Sequence, residues 1–345
     1  MSNSAVIGYS ARAMGETLER MAYEPPALGE LDVRVAITHC GVCYTDIQAI
    51  DDYYDITNYP FVPGHEIVGF VTESGSSVTA LKAGDRVGIG WQGRSCGKCE
   101  WCLKGEEHLC IKIAHAGVWE PYGGFSSSVI VDSRFAYLLP EGMPAETAAV
   151  LMCAGITVYS ALRRYSTSTR QNLAVVGMGG LGHLAVQFAR RMNYDVTVIS
   201  GSPEKRAEAL AYGANDFMVS QPDILEENEF AFDLLLCTIH GDLDPVPLMD
   251  TLKKNGRFIL VGFPDLSLNT RDLVSHQVSI TGSFIGSRAV MREMLDFAQA
   301  HEITPKVELM PMSKVNEALQ RVKDNKARYR IVLTSDQIQF FPGRS

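Results

Sequence analysis

Apolar and polar positions in the first 140 residues alternate in short runs closed by Gly, Pro or Asp. The stretches 31–40 (LDVRVAITHC), 65–75 (HEIVGFVTESG), 85–90 (DRVGIG), 125–132 (FSSSVIVD) and 135–140 (FAYLLP) each read as a strand ended by a turn. This part of the chain is therefore predicted to be mostly β. From about residue 145 the pattern changes to helix-length segments alternating with short apolar runs: 171–177 (QNLAVVG), 195–200 (DVTVIS), 232–239 (FDLLLCTI), 256–262 (GRFILVG) and 279–284 (SITGSF). Helical stretches lie between the first of these, at 185–192 (AVQFARRM) and 205–213 (KRAEALAYG). That alternation is what a parallel, doubly wound α/β sheet looks like in sequence. Near the end, 315–325 reads as a helix and 329–334 as a strand, and the chain shows no internal repeat or low-complexity tract.

Length supports two domains: 345 residues exceed the usual ~100–200 of one. Hydrophobic residues at 46% and charged residues at 21% are ordinary globular values, far from the composition that keeps chains disordered. The formal charge is −9, with no block of Lys or Arg to offset it locally, so nucleic acid is not an expected partner. The longest apolar candidate, 148–162, is interrupted by Gly155, Thr157 and Ser160, so no membrane span is expected. The N-terminus lacks the basic and apolar regions of a secretory signal, which predicts a cytoplasmic protein whose eight cysteines stay reduced and are available as metal ligands.

Residues 173–182 (LAVVGMGGLG) join an apolar strand to a helix through Gly177, Gly179 and Gly182 in GxGxxG spacing, with Gly180 and Leu181 inside the turn. The spacing suits a tight turn, a close backbone approach to a pyrophosphate and close helix-to-strand packing. A glycine-rich turn without a ligand would carry the same letters; the flanking strand and helix favour the dinucleotide. About 20 residues on, where NAD enzymes place an acid for the ribose hydroxyls, the second strand ends in Ser200, Gly201 and Ser202, followed by Lys205 and Arg206. Hydroxyls and cations suit a 2′-phosphate, so NADP(H) is the expected cofactor. Glu204 and a solvated helix face at Lys205 and Arg206 are the opposing reading.

Cys96, Cys99, Cys102 and Cys110 are spaced C-x2-C-x2-C-x7-C in a loop-like stretch. Four thiolates close a tetrahedral zinc site completely, which makes it structural, and the run differs from ferredoxin spacings. Cys40, Cys43, Cys153 and Cys237 remain, and with His65 they could supply a Cys2His set that leaves zinc an open position. Spacing alone does not choose Cys43 over Cys40, nor find Cys153. Cys237, inside a predicted strand, reads as a core residue. His39, His115, His183 and His240 fall in no motif.

Together, 40–46 (CGVCYTD), 64–66 (GHE), the four-cysteine stretch, 152–160 (MCAGITVYS) and the GxGxxG unit resemble the zinc-dependent medium-chain dehydrogenases/reductases, in that family's order and over essentially the whole chain. The likeness is greatest to the cinnamyl-alcohol-dehydrogenase-like branch. The resemblance implies a GroES-like β-rich catalytic domain over 1–150 with a structural zinc lobe at 91–112, a Rossmann NADP-binding domain over 151–289, and a segment 290–345 returning to the catalytic domain. It implies two zinc ions per subunit, one catalytic on Cys43, His65 and Cys153 and one structural on Cys96, Cys99, Cys102 and Cys110. Glu66 would be the acid able to approach the metal, Thr45 the proton relay, and Asp46 the acceptor that fixes the His65 tautomer; a turn or helix cap is the plainer role for Thr45 and Asp46.

The same resemblance adds Thr157, Val261, Gly262 and Ser283 to the cofactor contacts, and Arg330 as an arm to the pyrophosphate, against a surface charge on an edge strand. Two departures stand out: Tyr44 where relatives carry a basic residue, and Gln48 where many carry a relay His. Gln cannot titrate, so the proton is expected to leave through water. Trp91, Trp119 and Tyr53 would line an aromatic pocket, or pack as core. The implied activity is hydride transfer between NADP(H) and a small-molecule alcohol or aldehyde, aromatic or medium-chain, in a homodimer. A polyol or secondary-alcohol dehydrogenase and a non-catalytic zinc- and NADPH-binding sensor are the alternatives.

Overall fold

The computed structural model describes residues 5–115, 122–268 and 270–336. Its contacts divide the chain into two compact units. One comprises Met1–Cys153, Ser287–Gln299 and Pro305–Ser345; the other comprises Ala154–Gly286 and Ala300–Thr304.

The first unit is built on the long strand β1 (Asp32–Val42), which pairs antiparallel with β2 (Glu66–Ser74) along its length. Strand β3 (Arg86–Ile89) continues the sheet from β2, and β4 (Ser128–Asp132) pairs with the first half of β1. β5 (Ala136–Leu138) closes the far edge on β3. Seven of the eleven residues of β1 and the first four of β2 are buried, which accounts for their β-branched content. Helix α1 (Tyr44–Ile50) leaves the end of β1 after a single residue, Cys43.

The second unit holds six parallel strands: β6 (Asn172–Val176), β7 (Asp195–Ser200), β8 (Asp216–Val219), β9 (Phe232–Cys237), β10 (Leu252–Leu260) and β11 (Ser279–Gly282). They lie in the order β8-β7-β6-β9-β10-β11, the doubly wound 3-2-1-4-5-6 arrangement. Ala174, Val176, Ile199, Leu235, Phe258 and Cys237 share one apolar cluster, so Cys237 is a core residue, as its place in an apolar run predicts. Helix α2 (Gly182–Arg191) follows β6 directly.

The chain then returns to the first unit, where β12 (Val307–Pro311) and β13 (Arg330–Thr334) complete a seven-stranded sheet. β13 lies between β12 and the second half of β1, so it is an interior strand. The helical run 145–165 is long and apolar enough to cross a membrane, but 78% of its most apolar window is buried inside the fold. Residues 145–150 pack on β1 and β2 and residues 156–165 on α2, the behaviour of a core helix.

Candidate functional site

The cysteine–histidine centre starts from the junction of β1 and α1. Cys43 caps α1, and its own N–H donates to Asp46 Oδ2 at 2.8 Å. The other oxygen of Asp46 accepts from Gly64 N–H at 3.1 Å and faces His65 Nδ1 at 2.9 Å. Gly64 is obligatory here: its φ is +104°, and a Cβ would sit 2.6 Å from Phe125 N. One wholly buried carboxylate thus ties the Cys43 turn to the Gly64–His65 turn, so the cap role and the His-orienting role of Asp46 coexist.

With Nδ1 committed to Asp46, Nε2 is the remaining nitrogen of His65; it is fully buried and makes no hydrogen bond. An orphaned buried acceptor costs about 1–3 kcal/mol unless something binds it. The donor atoms of Cys43, His65, Glu66 and Cys153 all lie within 4.8 Å of one another, and the Cys43 and Cys153 sulfurs are 4.0 Å apart. That is far beyond a disulfide, about 2.05 Å. It is close to the spacing of thiolates sharing a tetrahedral zinc with bonds of about 2.3 Å. The donor set therefore fits zinc. The Cys153 thiol donating to Cys43 holds the Cys43 thiol well below its ordinary range, against burial. Cys153 lies in a π-helical turn, Leu151–Gly155, a distortion often found where a helix serves a site, and it alone of the four keeps partial exposure.

Glu66 starts β2 directly after His65 and is wholly buried. Burial raises its carboxyl to about 7, with Arg330 pulling the other way. Arg330 projects from β13, pairs with Glu66 Oε1, and leaves its own Nε and Glu66 Oε2 without hydrogen bonds. Of the two sequence readings of Arg330, the surface charge on an edge strand is thereby corrected: the strand is interior and the side chain buried, paired with Glu66. Gly41 makes room for this pair, since a Cβ there would overlap Glu66 Oε2. Thr45 Oγ1 lies 3.6 Å from the Cys43 sulfur and is half-buried.

The second cluster, Cys96, Cys99, Cys102 and Cys110, also has all four sulfurs within 4.8 Å. Cys99 and Cys102 approach to 3.5 Å, and Cys110 Sγ accepts from the N–H groups of Cys96 and Lys112, both at 3.3 Å. Backbone N–H groups of Cys102 and Ile111 lower the Cys99 thiol to about 6. Four sulfurs supported by backbone donors fit a closed zinc site. The lobe around them has only short elements, such as Glu100–Leu103 and Glu107–Leu109, to hold it. Cys99→Ala is expected to remove one metal equivalent and lower Tm by roughly 5–10 °C. Calorimetry with metal analysis checks this; an unchanged Tm at full metal content refutes it.

In the second unit, the predicted cofactor residues other than Thr157 follow the C-terminal ends of the parallel strands, where open α/β sheets bind ligands. Gly177 follows β6 with φ +98°, a Cβ on Gly179 would meet open space, and one on Gly182 would overlap the Gly177 carbonyl. Turn, open approach and tight packing are thus each served by one glycine, with Gly180 and Leu181 between them. Ser200 ends β7, and its hydroxyl accepts from Ser202 N–H at 3.2 Å. Gly201 is exposed and Lys205 half-buried. Arg206, however, donates to the Phe217 carbonyl and Asp216, so it braces β8 rather than standing as the second phosphate cation. Val261 and Gly262 follow β10, Ser283 follows β11 and donates to the Leu260 carbonyl, and Thr157 is buried in Ile156–Tyr165.

Of the aromatic candidates, Trp91 is buried edge-on against His115, Tyr53 is largely exposed, and Trp119 lies outside the described residues. His115, close enough to His65 to feel its charge, Tyr54, likewise near Cys43, and the pairing of Glu66 with Arg330 are features of the centre that no motif announced. Burial lowers the His115 imidazole to about 3, so it is neutral at ordinary pH. Arg330 opens a strand buried at four consecutive residues, so no alternation marks it as inward-facing, and nothing in the sequence links it to Glu66, 264 positions away.

Known families and structures match this geometry. Residues 29–141 match the model described as alcohol dehydrogenase GroES-like domain, and residues 180–300 that described as zinc-binding dehydrogenase. The chain is 36% identical over 347 residues to the NADP-dependent alcohol dehydrogenase C 1 of Mycolicibacterium smegmatis, covering 97% of this chain and 99% of that one. Among solved structures it superposes on a cinnamyl alcohol dehydrogenase from Sorghum bicolor with TM-score 0.91, 37% identity and coverage of 96% and 98%. It also superposes on the CAD from Helicobacter pylori complexed with NADP(H), with TM-score 0.89, 29% identity and coverage of 96% and 99%.

Proposed function

The chain belongs to the zinc-dependent medium-chain alcohol dehydrogenases, and from that premise we propose that it interconverts an aromatic or medium-chain aldehyde and its primary alcohol with NADP(H). The observation that carries this is the buried, unpartnered His65 Nε2 grouped with the Cys43 and Cys153 sulfurs, in a chain that also holds the Gly177–Gly182 turn. Zinc on Cys43, His65 and Cys153 would supply a Lewis acid for the carbonyl oxygen, and the nicotinamide would supply the hydride.

The chain's own residues do the rest. Asp46 holds His65 in the tautomer that leaves Nε2 basic. Thr45, beside the Cys43 sulfur, is the hydroxyl that hands a proton to the nascent alcohol oxygen. Glu66, held by Arg330, is the carboxylate able to approach the metal ligands. Ser200, Ser202 and Lys205 would hold a 2′-phosphate through hydroxyl and ammonium donors, with Gly201 leaving space. Cys96, Cys99, Cys102 and Cys110 would hold the second zinc. A homodimer in the cytoplasm completes this reading.

Initial rates of NADPH and NADH oxidation with cinnamaldehyde and benzaldehyde on zinc-replete protein test it. We expect kcat/KM with NADPH to exceed that with NADH by at least ~10-fold, worth ~1.4 kcal/mol. Turnover of polyols with NADH instead would favour the polyol dehydrogenase; tight NADPH binding and full zinc without turnover would favour the sensor.

A further inference from the structure

Helix α1 continues from Cys43 into a loop that is tied back onto it. Asp51, Asp52 and Tyr53 donate their N–H groups to the carbonyls of Ile47, Ala49 and Gln48, and Asp52 Oδ1 receives those of Ile56 at 2.9 Å and Thr57 at 2.8 Å. Thr57 Oγ1 donates to the Ala49 carbonyl at 2.9 Å, and the Tyr59 hydroxyl to that of Ile50 at 2.7 Å. The loop therefore carries Tyr54 at a fixed position beside the helix. There its hydroxyl donates to Gln48 Oε1 at 3.1 Å, while Gln48 itself is buried. Burial, with Tyr53 and Cys43 nearby, raises the Tyr54 phenol to about 12, so it stays protonated and remains a donor.

Gln48 stands three residues after Thr45 on α1, the spacing that puts two side chains on one helix face. An amide is planar and two-edged: a phenol that donates to its oxygen fixes which way the plane faces and turns the NH2 edge to the opposite side. We propose that Tyr54 is a positioning residue for proton delivery, holding the Gln48 amide so that its NH2 edge, and not its carbonyl, serves the Thr45 face of the helix. The inference rests on the alcohol dehydrogenase reading above.

A hydrogen bond from that edge to Thr45 Oγ1, whose neighbour on the other side is the Cys43 sulfur at 3.6 Å, would leave the Thr45 O–H with one task, donation to the substrate oxygen. When that proton is passed on, water replaces it, since the amide donates hydrogen bonds but yields no proton. Were the amide free to turn, its carbonyl could accept the Thr45 proton and draw it away from the substrate.

A mutant cycle on Tyr54→Phe and Gln48→Ala tests this, with NMR of protein labelled with 15N at glutamine. We expect Tyr54→Phe to lower kcat for aldehyde reduction about 3- to 10-fold, the worth of one neutral hydrogen bond, while KM for NADPH and zinc content hold within about 2-fold. It should also shift the side-chain amide signal that Gln48→Ala deletes, and cost nothing further in the Gln48→Ala background. An unmoved amide signal, an unchanged kcat, or an equal kcat loss in both backgrounds overturns the proposal. A wild-type protein that turns over no aldehyde or alcohol overturns the enzymatic reading and the relay role with it; the amide signal then still reports whether Tyr54 holds Gln48, which separates the two failures.

Discussion

Replacing Cys43 with alanine is expected to lower turnover at least ~10³-fold, to drop bound zinc from two equivalents to one, and to leave the NADPH dissociation constant within about 2-fold. Cys43 is the residue on which the centre converges. Its N–H engages Asp46, Asp46 orients His65, and its sulfur lies against Cys153 and Thr45. Alanine would keep the backbone part of that arrangement, because the cap on α1 runs from the Cys43 N–H to Asp46. The variant should therefore fold while only His65 and Cys153 remain of the proposed three-ligand set, with Glu66 tied to Arg330, too few for a site with an open fourth position. The residues proposed to bind the cofactor, Gly177–Gly182 and Ser200–Lys205, belong to the other unit, so cofactor binding should persist. Metal analysis, fluorescence titration with NADPH and single-turnover rates measure the three parts. Wild-type turnover in a variant carrying one zinc would refute the mechanism.

The sheet framework was legible because both kinds of burial leave marks in the sequence. Parallel strands such as β6 (NLAVV) are nearly continuous apolar runs, while the first unit reads as short β-branched runs punctuated by turns. What escaped were elements too short or too polar to mark themselves: β8 is four residues, DFMV, and β12 is mostly half-exposed. At the site, local spacing identified the four-cysteine lobe and the glycine turn, since their members are near in sequence. It did not separate Cys43 from Cys40, because the choice depends on direction. Cys40 is buried inside β1, bonded to the Gly41 carbonyl and packed against Gly124, whereas Cys43 sits past the strand end where the chain turns into α1. Cys153 was reached only through resemblance, and its π-helical turn has no simple sequence signature. Arg206 shows the converse error, a cation whose charge reads correctly but whose partner, β8, was not visible.

Gly201→Asp is expected to reverse the cofactor preference, lowering kcat/KM with NADPH by about 10²- to 10³-fold and raising that with NADH, because like charges brought together in a binding site cost several kcal/mol. The position is suited to the change on steric grounds. Gly201 follows β7, is exposed, and an added Cβ would meet nothing within 4 Å, so the carboxylate enters without displacing protein atoms. It would stand between the hydroxyls of Ser200 and Ser202 and near Lys205, among the groups proposed to receive the 2′-phosphate. A phosphate there would face a fixed negative charge, whereas the ribose hydroxyls of NADH would gain the acceptor that this chain lacks. Since no buried contact changes, Tm should move by no more than about 2 °C, which separates a loss of recognition from a loss of fold. Steady-state kinetics with both cofactors at fixed cinnamaldehyde gives the ratio directly. If the ratio stays at its wild-type value in a stable Gly201→Asp protein, the phosphate does not lie at Ser200–Lys205, and the preference must come from elsewhere in the second unit.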